Sequence, residues 1–237
     1  MGDWIQDPAG KEAIWKDARH VPATFEVDVK GQGRNKSKKL AITTAQGNWF
    51  SSHEDWGFLV LPFRDVPVAD TLFKNAQWAR TSWSAMHGWP GLFASTHEPV
   101  KGNIAPRYVS DLGVASIAKA PVNERRIFAP YAAFPLALVD HSLFASWLKS
   151  MLKQPGMYGP NGIGESFAAD GSHAPILTWD GKALPIIAWM GGVSNELRSY
   201  LQRDGLYDTF IAQVRRDYRR FDGVKLSDSE LSLSPPP

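Results

Sequence analysis

Three stretches of this chain concentrate side chains that can move protons. Residues 51–57, SSHEDWG, hold His53, Glu54, Asp55 and Trp56, and residues 93–99, FASTHEP, hold His97 and Glu98. GIGESFAADG (162–171) and TWDGK (178–182) together supply Glu165, Asp170, Trp179 and Asp180. A neighbouring run, HGWPGLFASTHEP from His87 to Pro99, adds His87 and Trp89. Acids set among aromatic rings in loops at helix ends suit glycoside hydrolysis. One carboxylic acid protonates the leaving oxygen, a second carboxylate activates water or attacks the sugar, and flat rings hold the pyranose. Nearby indoles also lower the local dielectric and raise an acid's pKa. Each acid has a structural use open to it as well. His53–Asp55 can be a helix-capping turn, Asp180 an N-cap, Glu98 an ion-pair partner, and Glu165 a tie for its own glycine loop.

Composition narrows the alternatives. A chain of 237 residues with 43% hydrophobic and 21% charged residues is that of a soluble globular protein with a sizeable core. The formal net charge of +2 gives no field to draw nucleic acid, and no apolar run is long enough to span a bilayer. Without cysteine there is no disulfide, thiolate nucleophile or thiolate-zinc site. The chain has no G-x-S-x-G elbow, P-loop or H-E-x-x-H pair, and GPNGIG follows no long strand, so neither metal nor cofactor is expected. The N-terminal stretch is charged and lacks the apolar centre of a signal peptide. Ten tryptophans stand out; composition alone favours a large core as their use over sugar platforms.

The elements that must position these groups follow from periodicity. A short helix is expected over 9–19. TFEVDVK and LAITTAQ alternate as two strands of a hairpin around the basic turn GQGRNKSKK. From Ala69, Leu72, Phe73, Ala76, Ala79, Trp83 and Met86 form one helical face, with Lys74, Gln77, Arg80 and Ser84 turned away. APYAAFPLALV predicts a deeply buried helix kinked at Pro135. Asp140 can cap the next, whose stripe is Leu143, Phe144, Trp147, Leu148, Met151 and Leu152. GMYGPNGIGESFAADG is loop, and helices are expected over 183–202, stopped by Gly205, and over 206–221. The division is an N-terminal helix and hairpin (1–47), a helical domain (48–223) and a disordered tail (224–237).

Four motifs in order, HGWPGLFAST, IFAPYAAFPLAL, MYGPNGIGESF and TWDGKALPIIAWMGG, resemble the glycoamylase-like glycoside hydrolases, a group that includes bacterial endo-β-1,2-glucanases. The similarity spans roughly residues 48–205. It implies a mainly α fold, an (α/α) toroid-like helical barrel with its sugar cleft at one end, and cofactor-free hydrolysis of a β-glucan. By position, Glu98 matches the acid after the tryptophan-glycine turn, Asp180 matches the aspartate opening the long helix, and Glu165 stands where that family's glycine turn has aspartate. The stretch around Asp55 matches a segment that also lines the cleft. A full toroid needs about twice the helices expected here, so the chain looks like a C-terminal half that dimerises or docks on a missing half-domain. The relatives are commonly exported.

The leading expectation is a hydrolase with Glu98 as general acid, Asp55 or Asp180 activating water, and Trp56, Trp89, Tyr131 and Trp179 as platforms. His53, His87, His97 and Glu165 complete the binding surface for an oligo- or polysaccharide. The alternative is a non-catalytic glycan-binding or assembly subunit on the same scaffold.

Overall fold

In the computed structural model, residues 20–30, 37–100, 107–226 and 234–237 are described. The expected helix over 9–19 and the basic turn at 31–36 lie outside them. Alternating apolar and charged side chains build an antiparallel hairpin from β1 (Pro22–Lys30) and β2 (Ser37–Ala45). Phe25 faces Ile42 and Val27 faces Leu40 across it, and Phe25, Val27 and Ile42 are buried while Glu26 is exposed. Each such side chain contributes about 1.5–3 kcal/mol by leaving water.

The hairpin lies on a long helix. After a single turn, α1 (Gly57–Val60), comes α2 (Pro67–Met86), whose Ala76, Trp78 and Ala79 meet Phe25, Val27 and Ile42. The helix is buried on more sides than its period predicts: Gln77, Arg80 and Ser84, expected in solvent, are buried, and Met86, expected inside, is half exposed. Two apolar clusters and a polar one surround it. Leu72 and Phe73 pack with Phe58, Ile211 and Val214, while Gln77 and Arg80 turn towards Asp55 and the segment around Ala132.

That segment is the centre of the largest core. Pro130–Leu138, expected as a kinked α-helix, is a 3-10 helix, with Ala132 N donating to Ala129 O and Val139 N to Leu136 O, both 2.9 Å. Pro135 has no N–H and its ring opposes α-helical winding, which favours the tighter form. The segment is buried from Pro130 through Ala137, as its sequence demands. α3 (His141–Leu152) follows, with Asp140 accepting from Leu143 N at 2.9 Å as a side-chain cap. Its Phe144, Trp147 and Met151 join the core. The Trp147 indole donates to Ser234 O at 2.9 Å, and Leu226 packs beside Phe221, so residues on both sides of 227–233 touch the domain.

The helix expected over 183–202 is two: α4 (Asp180–Trp189) and α5 (Ser194–Arg203). Gly191 and Gly192, at φ +82° and +84°, break it. A Cβ on Gly192 would lie 2.7 Å from Leu59 O. Likewise the last helix is α6 (Tyr207–Asp217) with a separate 3-10 turn at Arg219–Phe221. Two-residue strands pin the loops: β3 (Thr96–His97) pairs with β4 (Tyr108–Val109), β5 (Ile127–Phe128) with β8 (Phe167–Ala168), and β6 (Tyr158–Gly159) with β7 (Gly162–Ile163). Among the described residues no helix is long and apolar enough to cross a membrane.

A buried polar network joins these parts. Arg80 Nη1 donates to Gln77 Oε1 at 2.8 Å and lies 3.4 Å from Asp55 Oδ2, and Nη2 donates to Ala132 O. Gln77 Nε2 donates to the same Asp55 oxygen at 2.8 Å. Removing one partner leaves the other buried without compensation. Arg80→Ala is therefore expected to lower unfolding free energy by about 3–5 kcal/mol in urea titration, and a loss under about 1 kcal/mol contradicts the network's role. Burial raises the Asp55 carboxyl to about 6, against the pull of Arg80 and Gln77. A raised folded-state pKa gives stability that is full below the unfolded value near 3.8 and lost as pH climbs through about 6. Stability is expected to fall by up to about 3 kcal/mol across that window in wild type. Asp55→Asn is expected to flatten the slope, and an unaltered slope in Asp55→Asn refutes the assignment.

Candidate active site

Five of the expected residues converge. Glu165, in the glycine loop between β7 and β8, is buried, with 3% of its side chain exposed. Its Oε1 lies 2.9 Å from the Tyr131 hydroxyl and 3.5 Å from His97 Nδ1. Its Oε2 accepts from the Thr178 hydroxyl. Tyr131 comes from the 3-10 helix, and its hydroxyl is also 2.6 Å from Ser95 O. Burial, then the neighbouring Glu165, pushes the Tyr131 hydroxyl far above its ordinary value, so it remains a neutral phenol.

His53 and Trp56 close the other flank. His53 Nδ1 meets the hydroxyls of Ser51 and, at 3.0 Å, Ser95. Burial lowers its pKa, with Arg80 adding to the effect and Glu54 opposing it, which favours the neutral imidazole. Trp56 stands edge-on to Tyr131 at 5.7 Å, and its indole N–H is buried with no acceptor among the described residues. Trp179 and Asp180 are exposed beside this group, Trp179 by 82%. Their turn is fastened to it: Gly181 N donates to Thr178 Oγ1 at 3.2 Å while Thr178 donates to Glu165. Thr178 thus does the capping expected of Asp180.

The three acids expected to act together do not converge. Asp55 lines a cavity of about 420 Å³ with His20, Glu54 and Tyr218, Glu98 lines another with Arg126 and Asp170, and Asp180 lines neither. Glu98 accepts from Arg107 Nε at 2.8 Å and from Arg125 Nη1. The Arg107 and Arg125 guanidinium groups hold its carboxyl below the usual range, which is the wrong environment for a proton donor. His87 and Trp89 stand apart too. They end α2, with Trp89 N donating to Ser84 O at 2.9 Å, and stack on each other at 4.4 Å. Trp89 then packs against Trp83, Phe93 and Phe128, a structural use of the rings. Ser95 and Thr178 were not expected at the site. Thr178 had a legible signal, a threonine three residues before Gly181 in the first turn of a helix. Among the described residues no group of three His, Asp or Glu side chains is placed to hold a metal ion.

The chain is similar to the endo-β-1,2-glucanase from Talaromyces funiculosus in complex with sophorose, at 29% identity and a TM-score of 0.80. It is similar also to a glutamate-to-glutamine mutant of that enzyme in complex with β-1,2-glucan, at 30% identity and a TM-score of 0.82. Both matches cover 100% of this chain and 48% of the other, so the chain spans about half their length. No curated protein matches it. The family model described as endo-beta-1,2-glucanase SGL matches residues 6–237. The chain therefore belongs to the SGL family of endo-β-1,2-glucanases, within the glycoside hydrolases.

Proposed function

We propose that this chain carries the acid-bearing half of a glucanase site and hydrolyses β-1,2-glucan, with Glu165 as the proton donor. The observation that carries the reading is the Glu165 cluster: a buried carboxyl that meets the Tyr131 and Thr178 hydroxyls and lies 3.5 Å from His97 Nδ1. In the reaction, the Glu165 proton passes to the glycosidic oxygen as the bond to the anomeric carbon breaks. Asp180, on the turn tied to Glu165 through Thr178, takes a proton from the water that attacks. The exposed face of Trp179 is the platform for the sugar ring. Asp55 and Glu98, expected to do this chemistry, serve instead to hold α2 and two arginines.

The scaffold is read as one half of an (α/α) toroid, supported by the likeness at a TM-score of 0.80 over 48% of the longer chain. Ile186, Trp189 and Met190 at the end of α4 are 63–69% exposed, an apolar face on which the remaining half, or a second copy, would pack. The half-length coverage favours a second reading as well, a glycan-binding subunit that cleaves nothing.

The readings separate on incubation with β-1,2-glucan. New reducing ends are expected from wild type, and Glu165→Gln is expected to lower their release by at least about 100-fold. The same variant should keep its melting temperature and its tryptophan fluorescence response to sophorose. Wild-type turnover in Glu165→Gln refutes its role. A fluorescence response without reducing ends in wild type selects the binding subunit, and no response of either kind rejects both.

A further inference from the structure

His97 Nδ1 is a buried ring nitrogen with no hydrogen bond among the described residues. It lies 3.5 Å from Glu165 Oε1, longer than a hydrogen bond and close enough to become one with a small movement of either side chain. A buried polar atom left unpaired is costly, and its persistence calls for a use.

The ring is held where it is by its own strand. His97 pairs with Tyr108 in the β3–β4 register, and the two rings meet edge to face at 5.7 Å. The His97 carbonyl accepts from Ser166 Oγ at 2.8 Å, which ties the residue next to Glu165 to the same strand. The next acid along, Glu98, is engaged by Arg107 and Arg125. Glu165 itself has no lysine or arginine partner among the described residues.

That arrangement matters at the moment Glu165 acts. Its O–H bond breaks, the proton goes to the glycosidic oxygen, and the electrons of the broken C–O bond stay with that oxygen. A carboxylate is left behind with 3% of its side chain exposed, where water does little to stabilise it. The Tyr131 and Thr178 hydroxyls already touch its two oxygens at rest. His97 is the neighbour whose contact is still to be made. An interaction formed chiefly as charge develops raises kcat without strengthening substrate binding.

We infer that His97 is a positioning residue for the proton donor: with its proton on Nδ1, the ring closes on Glu165 Oε1 as the carboxylate forms and holds the new charge until water returns the proton. The inference rests on the reading of Glu165 as the acid and adds to it the group that meets its charge. The test compares β-1,2-glucan with 4-nitrophenyl β-sophoroside, whose nitrophenolate leaves without taking a proton. On glucan, His97→Ala is expected to lower kcat about 100-fold at unchanged KM. His97→Asn, whose side-chain amide also presents an N–H, should regain about tenfold of that loss. On the aryl substrate both variants, and Glu165→Gln, should stay within about threefold of wild type. Should alanine loosen β3, the comparison is read from His97→Asn, with about a tenfold loss expected on glucan alone. A ring that served only packing would slow both substrates equally. That outcome, or wild-type kcat on glucan in His97→Ala, overturns the inference, and a glucan-specific loss in Glu165→Gln then leaves the acid standing. Wild-type turnover of glucan by Glu165→Gln overturns both.

Discussion

Arg80 is a guanidinium taken almost wholly out of water, with 3% of its side chain exposed. Desolvation of that kind is costly unless acceptors meet the charge, as they do here at both Nη atoms, while Nε has no partner among the described residues. Here those acceptors come from three separate parts of the chain: Asp55 from the turn that also presents His53 and Trp56, Gln77 from one turn earlier in α2, and Ala132 O from the helix that presents Tyr131. Satisfying one cation therefore sets the distance between the two flanks of the Glu165 cluster. Burial lowers the Arg80 pKa and the Asp55 charge opposes that effect, so the two groups depend on each other for their ionised forms.

The apolar packing around α2 keeps water from this network. Hairpin residues cover one side and α6 covers another, while the 3-10 helix closes the third. The site thus inherits its rigidity from a helix that contributes no side chain to it. The same logic recurs on a smaller scale in the loops. Two-residue strands and side-chain ties, such as Thr178 to Glu165 and Glu98 to Arg107, hold residues that no long element carries. Loops of this kind place chemistry accurately only when their ends and their polar groups are both tied.

Much of this was legible in the sequence where one local pattern decided the outcome. The alternation of TFEVDVK gave a strand, Asp140 gave a cap, and the all-apolar run around Phe134 gave a buried segment. Family membership was legible as well, through four motifs in order. What failed was any inference that assigned a polar residue to solvent because of its type. Gln77 and Arg80 satisfy the helical period for an exposed face, yet a partner 22 or 25 residues earlier draws them inward. Glu98 carries the right functional group for an acid, but Arg107 and Arg125, neither of them adjacent in sequence, decide its charge. His87 and Trp89 have the composition of a sugar site and the geometry of a helix end. Glu165 was expected in the binding surface, with a tie for its glycine loop as the structural alternative, and its partners Tyr131 and His97 arrive from distant segments.

The most direct test of the account is where a bound sugar sits. A crystal structure of this chain soaked with sophorose should show the disaccharide against Trp179, with a glycosidic oxygen within hydrogen-bonding distance of the Glu165 carboxyl. Sugar in the cavity beside Asp55, with nothing at Glu165, contradicts it.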